Sequence, residues 1–167
     1  MKNIILIGMP GSGKSTAGIV LAKVLGYKFI DTDLVIQEDQ GMLLHRIIEK
    51  YGSKGFNTIE NNVISSIKTD KSVIATGGSA VYGKEAMQNL KSSGSILYLE
   101  LPFNEIKNRL GDLGKRGVSM KKGQTLETLY NERIPLYEKY ADITIHCYKL
   151  QIRQIINTII EQLHIHI

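Results

Sequence analysis

The chain has 167 residues, of which 43% are hydrophobic, and its 21 lysines and arginines against 16 acidic residues give a net charge of +5. This length can bury one sizeable core and is too short for two ordinary domains, so we predict one domain over residues 1–167. The basic residues are scattered, which argues against a nucleic-acid partner and suits the attraction of small anionic molecules.

The first predicted elements are a strand, a glycine loop, a helix and a second strand. Residues 4–7 form a continuous apolar run, typical of a strand buried on both faces of a parallel sheet. The run is too short for a signal peptide or a membrane span, so we expect a cytoplasmic protein with no membrane partner. Apolar residues at helical spacing predict a helix over residues 15–25, with Gly26 as its stop. Residues 28–30 indicate a short strand that runs into residues 31–33, Asp-Thr-Asp.

The rest of the chain alternates helical and strand patterns. Helices are predicted over residues 34–40, 43–51, 58–67, 84–90, 103–110, 125–140 and 150–163, and strands over residues 72–76, 96–100 and 143–145. We expect the helices between residues 34 and 67 to lie mostly at the surface, and Pro135 to bend or interrupt its helix. The polar, basic stretch 111–123 is the best candidate for a mobile loop. The alternation predicts a three-layer α/β fold, a doubly wound sheet of about five parallel strands.

Cys147 is the only cysteine in the sequence. An intramolecular disulfide is therefore impossible, which indicates a reducing compartment. A lone thiol beside a strand-like stretch is typical of core filling, and we expect that role for Cys147. No residue pattern bears on the oligomeric state, and a monomer is the default expectation.

Residues 8–16, Gly-Met-Pro-Gly-Ser-Gly-Lys-Ser-Thr, contain the phosphate-loop pattern G-x-x-x-x-G-K-S between a strand and a helix. Its glycines let successive backbone N–H groups surround a polyphosphate, and the helix adds the positive end of its dipole. Lys14 should reach the β- and γ-phosphates, and Ser15 should place its hydroxyl on Mg²⁺. We therefore predict a phosphoryl-transfer enzyme that binds ATP and Mg²⁺. The predicted nucleotide-binding residues of the loop are Gly11, Ser12, Gly13, Lys14, Ser15 and Thr16.

A phosphate loop alone does not name the reaction. GTPases, motor-like ATPases and small-molecule kinases all carry one. The sequence contains no N-K-x-D element of the kind that reads guanine in switch GTPases, and its size favours a minimal kinase.

With these residues in view, the sequence resembles a known family, the shikimate kinases, within the nucleoside monophosphate kinase-like phosphate-loop proteins. The similarity runs nearly end to end. Besides the phosphate loop it is carried by residues 31–33, 41–42, 51–52, Phe56 with Glu60, 75–78, 98–99, Arg109, Arg116, 133–137 and 141–142.

The resemblance implies roles for two carboxylates. Asp31 matches the family's metal-side acid, and a carboxylate beside the phosphate loop can bind Mg²⁺ through a water. Asp33 matches the acid that binds the acceptor hydroxyls, and it could accept a proton as a hydroxyl attacks the γ-phosphate. We expect Asp33 to point the same way as Asp31 if the strand continues. The alternative for this pair is that Asp33 caps the following helix.

The resemblance also implies a catalytic set of Lys14, Asp33 and Arg116, with Arg116 in a lid over residues 111–124. Arg109 matches a residue that lies against adenine. Arg133 matches an arginine that binds the acceptor carboxylate, as a planar guanidinium can. The resemblance also implies a helical acceptor-binding region over residues 32–62. The substrate-binding residues that it implies are Asp33 and Asn57 within this region, and Gly77, Gly78 and Arg133 after it.

Four positions depart from the family pattern. Asn57 stands where the family has an arginine, so one of two guanidinium groups expected on the acceptor carboxylate is missing. Loss of such a charge-assisted pair typically costs on the order of 2 to 4 kcal/mol of binding. Ser53, Ser79 and Gly117 replace a glutamate, a glycine and a proline of the family. Three of the four changes fall around the acceptor.

These observations lead to a principal hypothesis and its alternatives. The principal one is ATP- and Mg²⁺-dependent phosphorylation of shikimate to shikimate 3-phosphate, a step of aromatic amino acid biosynthesis. The first alternative keeps ATP and changes the acceptor to a related sugar acid, polyol or nucleoside-like compound. The second is a nucleotide-binding regulatory protein without turnover, and the third is a nucleic-acid kinase, which would need an aromatic and basic strip that the sequence lacks.

Overall fold

A computed structural model of the chain describes residues 2–111 and 117–165. The strands within these residues are β1 (Asn3–Ile7), β2 (Lys28–Asp31), β3 (Ser72–Ala75), β4 (Gly94–Glu100) and β5 (Ile143–His146). The helices are α1 (Lys14–Leu25), α2 (Thr32–Gln40), α3 (Leu44–Ser66), α4 (Lys84–Ser93), α5 (Phe103–Leu110), α6 (Leu126–Tyr140) and α7 (Ile152–Gln162), with a 3₁₀ turn at Ala80–Tyr82.

The five strands form one parallel sheet in the order β2-β3-β1-β4-β5. β1 lies at its centre, where Ile5 pairs with Ile74 on one side and Ile96 on the other. Consecutive side chains of a strand point to opposite faces, yet Ile4 through Ile7 are all buried. Helices must therefore cover both faces, and the predicted α/β fold with five parallel strands is confirmed.

The strand order places three loops at one edge of the sheet. β1 and β3 are neighbours although 64 residues separate the end of one from the start of the other, and β2 flanks β3. Because parallel strands end at the same edge, the loop after β1, the Asp31 end of β2 and the turn after β3 meet there. The fold thus assembles the candidate site from segments that are distant in sequence.

The helical region after β2 differs from the prediction. Residues 53–57 are helical, and α3 runs from Leu44 to Ser66 with a kink at Gly52 (φ 70°, ψ 176°). Most residues of this region are exposed or partly exposed, as expected, but it also holds a second small core of Ile36, Ile47, Phe56 and Val63. Packing of Phe56 in this core extends the helix beyond what local sequence signals indicate.

Pro135 does not interrupt α6, which continues from Leu126 to Tyr140. Proline removes one backbone N–H, and the carbonyl that loses its partner belongs to Asn131, four residues earlier. Both residues lie on the exposed side of the helix, where water can satisfy that carbonyl. The opposite side is fixed by buried Leu129, Arg133 and Tyr137. The expected interruption is therefore absent.

Cys147 is buried in the main core, as predicted, and burial raises the pKa of its thiol to about 12. Within residues 2–111 and 117–165, no helix combines the length and the hydrophobicity that crossing a bilayer requires.

We predict that Gly94→Ala lowers the free energy of unfolding by at least about 2 kcal/mol. A β-carbon at Gly94 would lie 2.1 Å from the backbone oxygen of Asn3, its partner residue in the central strand pair. Gly41→Ala is the control, because Gly41 (φ 59°) has no atom within 4 Å of a β-carbon and should lose only about 1 kcal/mol through its positive φ. Urea unfolding of both variants measures the difference, and equal losses would contradict the close approach of β1 and β4.

Candidate active site

The phosphate loop, residues 8–13 between β1 and α1, leaves backbone donors free. Gly8, Gly11 and Gly13 have φ of 146°, 78° and 94°. Gly13 is the N-cap of α1 and has no side chain to satisfy the first N–H groups of the helix. These donors and the positive end of the helix dipole therefore face the adjoining cavity, which is the arrangement that binds phosphate groups.

Lys14 lies inside the loop. Its side-chain Nζ donates to the carbonyl oxygens of Gly8 and Met9, both at 2.8 Å, and to Ser12 Oγ at 3.4 Å. Burial lowers the pKa of Lys14 to about 8, against the opposing effect of the Asp33 charge. A bound phosphate would favour the charged ammonium and raise that pKa again.

Asp31 connects β2, α1 and α2. Its Oδ2 accepts from the Ser15 hydroxyl at 2.7 Å, and its Oδ1 accepts from the backbone N–H of Asp33 at 3.0 Å. Asp31 is therefore the N-cap of α2, and the alternative that Asp33 caps this helix is wrong. The strand does not continue past Asp31, which was the condition for Asp33 to point the same way, and Asp33 lies in the first turn of α2.

A cavity of about 270 Å³ lies between the phosphate loop and the acceptor side. Asp33 lines it, and burial together with the nearby charge of Asp31 raises the pKa of Asp33 to about 6. Of the predicted site residues, the cavity brings together Gly11, Gly13, Lys14, Ser15, Thr16, Asp33, Gly77, Gly78 and Arg133. Asp31 stands behind Ser15, and Ser12 is buried within the loop.

Arg133 is 1% exposed, and neutral groups hold it. Its Nη2 donates to the carbonyl of Ser119 at 2.7 Å, its Nε donates to the hydroxyl of Tyr82 at 3.4 Å, and its Nη1 points toward Gly78. Among the described residues, no carboxylate lies within ion-pair distance of this guanidinium. A buried cation without a counter-ion suits an anionic ligand, because such a ligand would offset the cost of its desolvation.

Two further predicted residues, Asn57 and Arg109, do not line this cavity. Asn57 lines a separate cavity of about 120 Å³, and its Oδ1 is 3.4 Å from the Ser119 hydroxyl, which lies between the two cavities. Arg109, at the end of α5, lies beside the phosphate loop with Nη1 3.4 Å from the Gly11 carbonyl. Arg116 lies outside the described residues, as do residues 112–115 of the predicted lid. Residues 117–119, which follow it, line the main cavity.

The sequence prediction assigned no site role to Glu60, Ser79 or Tyr137. Tyr137 donates to the Gly78 carbonyl at 2.7 Å, and Ser79 donates to Glu60 Oε2 at 2.5 Å. Glu60 is 1% exposed on the same face of α3 as Phe56 and Val63. The sequence signal that could have identified Glu60 is a carboxyl group at a helical position where an apolar residue is expected, because such a group is rarely buried without a specific reason.

The sheet order, the phosphate loop and the carboxylate-lined cavity define a phosphate-loop kinase. A protein-family model described as shikimate kinase matches residues 10–164, and the chain belongs to the shikimate kinase family. The shikimate kinase of Thermodesulfovibrio yellowstonii is 38% identical over 165 residues, 97% of this chain and 95% of that protein. That of Francisella tularensis subsp. holarctica is 39% identical over 162 residues, 95% of this chain and 92% of that protein.

Comparison with solved structures also finds a shikimate kinase. Shikimate kinase from Acinetobacter baumannii in complex with shikimate superposes with a TM-score of 0.88 at 32% identity, over 98% of this chain and 93% of that one.

We predict that Asp31→Ala lowers the free energy of unfolding by about 1 kcal/mol, because it removes the N-cap of α2. Asp31→Asn should keep most of that stability, since asparagine caps equally well. Asp33→Ala should lose less than Asp31→Ala, because burial disfavours the charged form of Asp33. Urea unfolding at neutral pH compares the three, and a larger loss for Asp33→Ala would contradict the assignment of the cap.

Proposed function

We propose that this chain transfers the γ-phosphoryl group of ATP to a hydroxyl of shikimate, giving shikimate 3-phosphate and ADP. One observation carries the proposal: the cavity is lined by the phosphate loop, by the Asp33 carboxylate and by the buried Arg133 guanidinium, which has no carboxylate partner among the described residues. An acceptor that fits needs an anionic group for Arg133 and hydroxyls for Asp33. Shikimate has both, and the similar Acinetobacter enzyme was solved with shikimate bound.

Residues of this chain have distinct parts in the transfer. An acceptor oxygen forms a bond to the γ-phosphorus while the bond from that phosphorus to the β–γ bridging oxygen breaks, and ADP leaves. Asp33 orients the attacking hydroxyl and takes its proton at a carboxylate oxygen. Lys14 and the free N–H groups of the loop stabilise negative charge on the phosphates. The backbone at Gly77 and Gly78 borders the acceptor, and Arg133 holds the acceptor carboxylate.

Mg²⁺ would bind beside Ser15 and Asp31. The Ser15 hydroxyl and an Asp31 carboxylate oxygen are 2.7 Å apart at the edge of the phosphate loop, so two oxygen donors meet where phosphate oxygens would arrive. Mg²⁺ commonly takes only one or two protein ligands and completes its shell with phosphate oxygens and water. When bound, it would neutralise charge on the phosphates. We assign Asp31 to the ion through a water, because its carboxylate also caps α2.

The remaining assignments complete the proposal. We propose one domain over residues 1–167, with an acceptor-binding helical region at about 32–62 and a lid at about 111–124. Arg109 would lie against the adenine, consistent with its place beside the phosphate loop, and Arg116 would close over the phosphates. A cytoplasmic location, a monomeric state and the absence of nucleic-acid or membrane partners stay predictions.

Purified protein, ATP and Mg²⁺ with shikimate should release ADP and shikimate 3-phosphate. We predict that Lys14→Ala reduces turnover by at least about a hundredfold, because the cation on the transferred phosphate is lost. Lys23→Ala, an exposed lysine in the last turn of the same helix, is the control and should retain activity. Coupled ADP detection with product analysis measures both. Near-normal turnover by Lys14→Ala, or faster turnover of a neutral polyol than of shikimate, would contradict the proposal.

We predict that Asn57→Arg lowers the KM for shikimate by about tenfold, because a second guanidinium could reach the acceptor carboxylate. The cavity of about 120 Å³ beside Asn57 gives the longer side chain room. Asn62→Arg makes the same change at an exposed position of α3 and should leave the KM unchanged. Steady-state kinetics at saturating ATP measures the effect, and an equal KM in both variants would mean that residue 57 does not face the acceptor.

A further inference from the structure

Glu60 is a buried carboxyl group on α3. It is 1% exposed, and no lysine or arginine among the described residues lies within ion-pair distance of it. Oε2 accepts from the Ser79 hydroxyl at 2.5 Å, whereas Oε1 has no hydrogen-bond partner in the part of the chain that the structure describes. Leaving a buried polar atom unpaired is costly, so its surroundings call for an explanation.

Oε1 of Glu60 faces Asp33 across Gly77. The point where a β-carbon of Gly77 would stand is 2.7 Å from Glu60 Oε1 and 2.8 Å from Asp33 Oδ1. The two carboxyl groups therefore share one corner, which is open only because residue 77 has no side chain. Asp33 lines the acceptor cavity, and Glu60 lies behind it.

Two carboxylates in one buried corner cannot both be ionised at low cost, and the more deeply buried one keeps its proton. Burial raises the pKa of Glu60 to about 8 and that of Asp33 only to about 6. The other groups that act on Glu60 are the Ser79 hydroxyl, Asp33 on α2, Arg133 on α6 and Lys14 on α1. The hydrogen bond and the two cations oppose the shift, but burial outweighs them.

We infer that Glu60 acts as a neutral acid that positions Asp33. The Ser79 hydroxyl donates to Oε2 and so leaves the Glu60 proton on Oε1, the oxygen that faces Asp33. A neutral donor in that corner attracts the Asp33 carboxylate and holds it in place beside the acceptor, whereas a second carboxylate would repel it and offer no proton to share. Glu60 does not line the main cavity. The inference rests on the proposed function, because Asp33 is there the group that receives the acceptor proton.

The test is the pH dependence of kcat/KM for shikimate at saturating ATP and Mg²⁺, where Lys14 is already engaged by phosphate. The unaltered protein should lose kcat/KM as pH rises through about 8, because Glu60 ionises there. Glu60→Gln keeps a neutral donor, and we predict activity within about threefold at pH 7 without that alkaline loss. Glu60→Ala, which has no donor, should lose at least about tenfold at pH 7.

Ser79→Ala should shift the pH at which kcat/KM falls, rather than abolish the fall as Glu60→Gln should. The Ser79 hydrogen bond lowers the Glu60 pKa, so its removal should move the alkaline loss to higher pH. Glu49→Gln, on the exposed face of α3, is the control and should leave the profile unchanged. If Glu60→Ala does not fold, the pH profiles of Glu60→Gln and Ser79→Ala still test the inference.

Infrared spectroscopy gives a readout that needs no turnover. The carbonyl stretch of a protonated carboxyl should be present at pH 7 and absent in Glu60→Gln. If that band is missing, or if Glu60→Gln loses as much activity as Glu60→Ala, Glu60 is ionised and the inference is overturned. Complete inactivity of the chain with shikimate would instead overturn the proposed function and the positioning role with it, while the band would still decide the protonation of Glu60.

Discussion

The ammonium group of Lys14 is held between two carbonyl oxygens of its own loop, and the rest of the site is arranged around it. Burying a cation is costly, and here backbone dipoles and the Asp33 charge offset that cost. The loop can adopt this path because β1 is fixed at the centre of the sheet, buried on both faces. A site for polyphosphate thus follows from the packing of one hydrophobic strand.

The acceptor side of the site buries a guanidinium and a carboxyl group that do not form an ion pair. Among the described residues, Arg133 is buried without a carboxylate within ion-pair distance, and Glu60 is buried without a cation within that distance. The two do not pair with each other, since Ser119 and Tyr82 hold the guanidinium and Ser79 holds the carboxyl group. Keeping them apart leaves the guanidinium available to an anionic ligand, whereas an internal ion pair would have consumed it.

Sequence patterns predicted the sheet, the phosphate loop and most helix positions, because apolar periodicity and glycine spacing are local signals. They could not place residues 53–57 in a helix, since that depends on Phe56 packing in a second core. Pro135 was expected to bend or interrupt α6, but the helix continues because the carbonyl that Pro135 frees is on its exposed side. The sequence also could not show that Asp31, rather than Asp33, caps α2. That assignment depends on the exact residue at which β2 ends.

The absence of a side chain at Gly77 links three positions that are far apart in the sequence. Any β-carbon there would collide with oxygens of both Asp33 and Glu60. A descendant of this protein could therefore acquire a larger residue at position 77 only if one of those acids were shortened or moved in the same lineage. A side chain at position 77 should consequently occur only together with a change at position 33 or position 60.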